Sequence, residues 1–152
     1  MKRIAVLSDT HGLLRPDVIP FLQKADLILH AGDVDTPAVA QHIFLLGEAH
    51  IVRGNNDGAW AANLPHSHYL TVEGMRFFLI HNRAQVLPDP KADVVIFGHS
   101  HRYVCETHGG TLWLNPGSCG KPRFGLEPSL CLLTVEDGLC RAEKITFPRE
   151  VR

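Results

Sequence analysis

A chain of 152 residues is long enough to bury roughly two-thirds of its unfolded surface as one compact domain, without disulfides or a second subunit. Apolar residues make up 45%, charged residues 20%, and the formal net charge is -1. This ordinary globular balance excludes a general attraction to nucleic acid or anionic membrane, so any phosphate-bearing substrate has to be captured locally.

One domain spanning 1–152 is therefore expected. Lys2 and Arg3 lead into the apolar run Ile4–Leu7, which Asp9 and His11 interrupt before a secretory h-region forms. No stretch reaches transmembrane length, so no membrane association is expected. Four more short apolar runs follow at Leu27–Leu29, Ile51–Val52, Phe77–Ile80 and Val94–Phe97. They are rich in β-formers and do not alternate with polar residues, which predicts strands buried on both faces.

Between the first two runs, Val18, Ile19, Phe21 and Leu22 predict a helix over Asp17–Ala25, with Pro16 at an early position, and Pro37–Leu46 repeats the pattern. Strand, helix, strand, helix, strand implies parallel pairing with right-handed crossovers. The second half changes character: a hairpin over Tyr69–Ile80 turning at Glu73-Gly74, then strands at Tyr103–Thr107, Thr111–Leu114, Leu130–Val135 and Cys140–Phe147. Two packed sheets flanked by helices are expected, with Asn115–Pro128 as one long ordered loop. Cys105, Cys119, Cys131 and Cys140 lack CxxC spacing, which suits a reduced, cytoplasmic chain.

Each of the five early runs is followed by residues that can ligate metal: Asp9 and His11, Asp33, Asn55, His81, and His99 with His101. The carboxyl ends of strands in α/β sheets form the crevice where ligands bind, so five separated segments can converge on one volume. Imidazole, carboxylate and amide oxygen suit borderline or hard divalent cations, and no cysteine lies in these segments. Seven candidates exceed the need of one tetrahedral ion, and a shared carboxylate lets two ions use them all. Two cations roughly 3.5 to 4 Å apart suit phosphate-ester hydrolysis.

The series Asp9-Thr10-His11, Gly32-Asp33-Val34-Asp35, Gly54-Asn55-Asn56-Asp57, a lone His81 and Gly98-His99-Ser100-His101 resembles the calcineurin-like metallophosphoesterases. Asn115-Pro116-Gly117-Ser118 with the trailing Pro122-Arg123 resembles their small YfcE-type phosphodiesterases. The resemblance implies an α/β fold, a four-layer αββα sandwich of two mixed β-sheets flanked by helices. It implies Asp9, His11, Asp33 and His101 around a first metal, with Asp33 bridging, and Asn55, His81 and His99 completing a second. Asp33, Asn55 and His99 would then act in catalysis through metal-bound water. The activity implied is hydrolysis of a small or nucleotide-like phosphodiester by metal-bound hydroxide attacking in line, without a covalent intermediate.

Two positions depart from the family pattern. Asn56 stands where many members carry a histidine that protonates the leaving group, and an amide is no general acid near neutral pH. No general acid is therefore assigned, which favours good leaving groups or a proton delivered by metal-bound water. Asn82 follows His81 where the family often has Gly, which predicts altered loop geometry. Arg123 is a candidate substrate-phosphate contact.

Manganese is the first expectation for the metal, with nickel, iron or zinc fitting the same ligands. His30 is placed as a satisfied buried histidine, with support of Asp33 as the lesser reading, Trp60 as a packing residue, and His42, His50, His66, His68 and His108 as structural or solvated. A non-catalytic protein-binding scaffold, like the small retromer subunit, is the competing function; the full ligand set argues against it. A nuclease would want a basic track that the charge balance does not supply, so nucleic acid is not the expected partner. Oligomeric state stays open, up to a homo-dimer or higher.

Overall fold

The computed structural model describes residues 1–150. Among them the chain forms strands β1 (Lys2–Leu7), β2 (Leu27–His30), β3 (Ala49–Ile51), β4 (Ser67–Val72), β5 (Met75–Ile80), β6 (Val94–Ile96), β7 (Val104–His108), β8 (Thr111–Asn115), β9 (Ser129–Glu136) and β10 (Leu139–Thr146). Helices α1 (Ile19–Lys24) and α2 (Pro37–Leu46) connect the first three strands.

One sheet has the order β10-β9-β1-β2-β3 and the other β4-β5-β6-β8-β7. Both are mixed. β1, β2 and β3 run parallel while β9 is antiparallel to β1, and β5, β6 and β8 run parallel between antiparallel β4 and β7. Register places Ile4 between Leu27 and Leu133 in the first sheet, and Ile96 between Leu79 and Leu114 in the second.

The unbroken apolar runs conceal a period of two. Ile4, Val6, Leu27, Leu29, Phe77, Leu79, Val94 and Ile96 point into one core between the sheets. Their neighbours Ala5, Leu7 and Ile28 pack under the helices against Leu22, Val39 and Ile43. Phe78, Ile80, Val95 and Phe97 face out of the second sheet. Successive strand side chains alternate faces, so a run buried on both sides must be apolar throughout. Each fully buried Leu, Ile or Phe contributes about 1.5–3 kcal/mol.

The layer outside the second sheet is thin. Val86 and Ala92 pack against its outer face, beside the sheet's own Val104 and Trp113, and the segment 82–92 contains only a 3-10 turn, Arg83–Gln85. Pro88 and Pro90 interrupt the hydrogen-bond ladder that a longer helix needs there.

α2 has the predicted bounds: Thr36 caps it by accepting from Val39 N at 3.4 Å, and proline occupies its first turn. α1 is shorter than Asp17–Ala25, because Val18 N already bonds Arg15 O in a preceding turn, and Pro20 rather than Pro16 takes the early helical place. The buried Arg15 ties that turn to Asp17 and to the backbone carbonyls of Gly120, Pro148 and Glu150.

Candidate metal centre

The seven sequence candidates sit just beyond the carboxyl ends of β1, β2, β3, β5 and β6, and parallel pairing within each sheet brings those ends to the same edge of the sandwich. Backbone bonds stitch the loops together. Asp9 N donates to Gly32 O at 3.0 Å, His11 N to Asp33 O at 3.0 Å, and Gly98 N to His81 O at 3.0 Å. The 116–128 loop adds Ser118 Oγ to Asp9 O at 2.9 Å and Cys119 N to Ser8 O at 3.0 Å. Asn115 Nδ2 braces the fifth segment through Gly98 O at 3.0 Å.

This stitching holds five candidate ligands in the left-handed backbone region: Asp9 (φ 54°), His11 (47°), Asp33 (60°), His99 (71°) and His101 (64°). Non-glycine residues visit that region at a cost, and surrounding structure must enforce it. Gly98 serves close approach instead. A Cβ there would overlap Ser8 Oγ and lie 2.6 Å from Asp9 Oδ2.

Asp9 Oδ1 lies 3.4 Å from His11 Nε2 and 3.3 Å from His101 Nε2, and the two imidazole nitrogens are 3.2 Å apart. Asp33 Oδ2 lies 3.2 Å from His81 Nε2 and 3.9 Å from His11 Nε2, so Asp33 faces both histidine sets. Asp9, Asp33 and His81 also present ligand atoms within 4.8 Å of one another. His99 Nδ1 meets Asn55 Oδ1 at 3.1 Å on the exposed side. Asp9, His11, Asp33, His81 and His101 are buried, whereas Asn55 and His99 form the open face.

The donor set fits divalent cations. Among the described residues, the buried Asp9 Oδ1 and His81 Nε2 have no hydrogen-bond partner, and leaving such groups unsatisfied is costly unless a ligand meets them. His81 Nδ1 donates to Ala31 O at 2.8 Å, which turns the Nε2 lone pair toward Asp33, the usual arrangement of a metal-binding imidazole. His11 Nδ1 is similarly fixed by Asp35 Oδ2 at 2.9 Å.

Burial alone would raise the carboxyl of Asp9, but the imidazoles of His101 and His11 beside it and the Ser8 hydroxyl hold it well below the usual range. Asp33 is likewise lowered: His81 and the Asn56 N–H outweigh its burial. The nearby Asp9 carboxylate raises His11 against burial, with Asp35 assisting. Burial would lower His81, yet Asp33 and the Asp9 charge raise it. Two carboxylates are thus kept ionised at neutral pH amid imidazoles, a concentration of negative charge suited to cations.

Asp57, which the sequence placed within the third segment without a role, organises the centre. Its carboxylate accepts from Asp33 N at 3.0 Å, Gly54 N at 2.9 Å and Asp35 N at 2.8 Å. The only sequence signal was turn chemistry, an Asp closing a Gly-Asn-Asn-Asp segment. Asn56 donates its N–H to Asp33 Oδ1 at 2.9 Å and its amide to Asp33 Oδ2 at 3.3 Å, orienting that carboxylate.

His30 is fully buried, and its Nδ1 accepts from Gly32 N at 3.0 Å, leaving Nε2–H to donate to Thr10 Oγ1 at 3.0 Å. Asn82 caps the 3-10 turn by accepting from Ala84 N at 2.9 Å. Arg123 stands exposed on the 116–128 loop. Trp60 packs half-buried against the helix-side core. Asn55 and His81 also line a pocket of about 160 Å³ with Arg53, His66 and Gln85. A larger cleft of about 380 Å³ beside α1, lined by Arg3, Phe21, Leu132 and Arg141, contains none of the candidate ligands.

The family profile described as calcineurin-like phosphoesterase superfamily domain matches residues 1–138. The chain belongs to that superfamily. It is 32% identical over 157 residues to a protein of Methanothermobacter thermautotrophicus named a probable metallophosphoesterase, covering 93% of this chain and 91% of that protein. It is 27% identical to a phosphodiesterase of Methanocaldococcus jannaschii, covering 88% of this chain and 93% of the other. Among solved structures, Vps29 of Chaetomium thermophilum superposes with a TM-score of 0.78 at 22% identity, covering 97% and 98% of the two chains, a likeness of fold. Membership implies divalent metal ions, and the clusters just described offer residues to hold them. Among the described residues, no helix is long and apolar enough to cross a membrane.

Proposed function

We propose that this chain is a phosphodiesterase with a two-metal centre, acting as a single domain over 1–152 on a small or nucleotide-like phosphodiester. The observation that carries the proposal is the placement of the Asp33 carboxylate between His11 and His81, with Asp9 joining His11 to His101. Asp9, His11, Asp33 and His101 would hold one cation, with Asp33 shared, and Asn55, His81 and His99 the second. Bound cations lower the pKa of water and neutralise charge developing on phosphoryl oxygens.

The protein's own part is orientation. Asn56 and Asp57 fix Asp33 and its backbone, Ala31 O fixes His81, Asp35 fixes His11, and Ser8 with His99 N holds Asp9 through Oδ2 at 2.6 and 3.1 Å. Asn55 and His99, on the open face, are where substrate meets the centre. Because Asn56 cannot protonate a departing alkoxide, esters with good leaving groups react best. Arg123 would approach the substrate phosphate from the exposed loop. Manganese is the favoured metal on ligand type, and the four unpaired cysteines suit a cytoplasmic setting.

Chelator-stripped protein supplied with manganese should hydrolyse bis(p-nitrophenyl) phosphate faster than p-nitrophenyl phosphate. Asp33→Asn should lose both binding steps in a calorimetric manganese titration and nearly all turnover, whereas His81→Ala should lose chiefly the second step. Equal activity of Asp33→Asn and wild type would sink the shared-carboxylate assignment. Absence of turnover with any divalent metal in folded protein would favour a binding scaffold.

A further inference from the structure

Phe124 occupies a place that neither local propensity nor burial explains. Leu126 N donates to Arg123 O at 3.0 Å, closing a turn whose central residues are Phe124 (φ 57°) and Gly125 (φ 69°). Positive φ at both central positions is the pattern of a type I′ turn, which favours Asn, Asp or Gly at its first central residue. A phenylalanine there is strained, and this one is also 73% exposed, so it gains little from burial. Its ring meets the ring of His101 edge-on, with centroids 5.4 Å apart and planes at 63°.

The turn belongs to a loop whose root is fixed against the centre. Gly120 packs so closely on Thr10 O that a side chain would not fit, Arg15 Nη1 donates to Gly120 O at 3.4 Å, and Phe147 N donates to Pro128 O at 2.9 Å. An anchored loop thus carries an aromatic ring to the rim beside His101, at an energetic cost, with one face open to solvent. Strain of this kind persists where surrounding structure enforces it and function uses it.

We propose that Phe124 is a specificity-determining residue that stacks on a planar aromatic arm of the substrate, a nucleobase or an aryl group. The inference rests on the phosphodiesterase proposal and names the substrate class within it. The phosphoryl group lies over the centre, and the arm that stays with it extends past His101 onto the Phe124 ring. Stacking on an aromatic side chain tolerates any base, because every base presents a π-face.

The test compares two esters that release the same leaving group, the p-nitrophenyl ester of thymidine 5′-phosphate and methyl p-nitrophenyl phosphate, with manganese-loaded protein. Calorimetry with thymidine 5′-phosphate and methyl phosphate measures the same preference without turnover. Phe124→Asn should lower the preference for the thymidine compound about tenfold in kcat/KM and in Kd, while Phe124→Tyr keeps it within about twofold. Because Asn suits the turn, the melting temperature of Phe124→Asn should equal or exceed that of wild type. A wild type that does not discriminate, or a Phe124→Asn preference within about twofold of wild type, overturns the inference; a lowered melting temperature alongside would assign Phe124 to structure. If neither ester is turned over, the phosphodiesterase proposal fails, and the calorimetric preference still decides the role of Phe124. An aryl source is separated from a nucleobase by repeating the calorimetry with phenyl phosphate.

Discussion

Replacing Asp57 by Asn keeps the shape of the side chain and removes one acceptor oxygen from the junction of two ligand-bearing loops. Asp57 Oδ2 takes Asp33 N and Gly54 N, and Oδ1 takes Asp35 N. The Asn oxygen can retain the Oδ2 pair, but its NH₂ then faces the Asp35 N–H, donor against donor. A hydrogen bond to a charged acceptor contributes about 1.5–3 kcal/mol, and the retained pair weakens once the acceptor is neutral, so a loss of about 2–4 kcal/mol is expected. Asp57 is buried, so water offers the stranded donor little compensation. Urea unfolding of the chelator-stripped variant should show the lower midpoint with an unchanged slope. Manganese titration should show affinity reduced about tenfold, since Asp33 and Asp35 shift with their backbone. A variant within about 0.5 kcal/mol of wild type and with wild-type manganese affinity would refute the reasoning.

Burial pushes His30 down to about 4 from 6.5, so the folded protein keeps it neutral while the unfolded chain protonates it between those values. Its contribution is complete above pH 6.5 and is lost as pH falls toward 4, by about 3 kcal/mol at the lower end of the window. The stability gap between wild type and His30→Gln should therefore narrow from pH 7 to pH 4.5 in parallel urea titrations; a constant gap would contradict the neutral assignment. Gly98→Ala forces a methyl into Ser8 Oγ and Asp9 Oδ2, and should destabilise the fold by about 1–3 kcal/mol and weaken manganese binding in calorimetry. Wild-type values on both counts would show that the two segments part easily.

Much of the architecture was legible because burial on both faces leaves a plain mark. Runs such as Ile4–Leu7 and Val94–Phe97 can be nothing but apolar if one alternate set fills the inter-sheet core and the other packs outward. Segment bounds followed where a cap and a proline coincide, as at Thr36-Pro37. They slipped at α1, where Arg15 holds a turn through carbonyls more than a hundred residues away. The thin layer over the second sheet was hidden for the same reason, since prolines 88 and 90 forbid a helix without saying what will cover the sheet instead.

Within the centre, the sequence by itself determined which residue types are present and that each follows a buried strand, because strand ends and ligand chemistry are local properties. The tertiary structure decided everything that depends on approach: the lone pair His81 turns toward Asp33, the three N–H groups gathered by Asp57, and the ring of Phe124 against His101. These are relations between segments joined only by sheet pairing and loop stitching. No local pattern encodes them, since the same Asp in the same turn would be a surface cap in a chain whose strands paired otherwise.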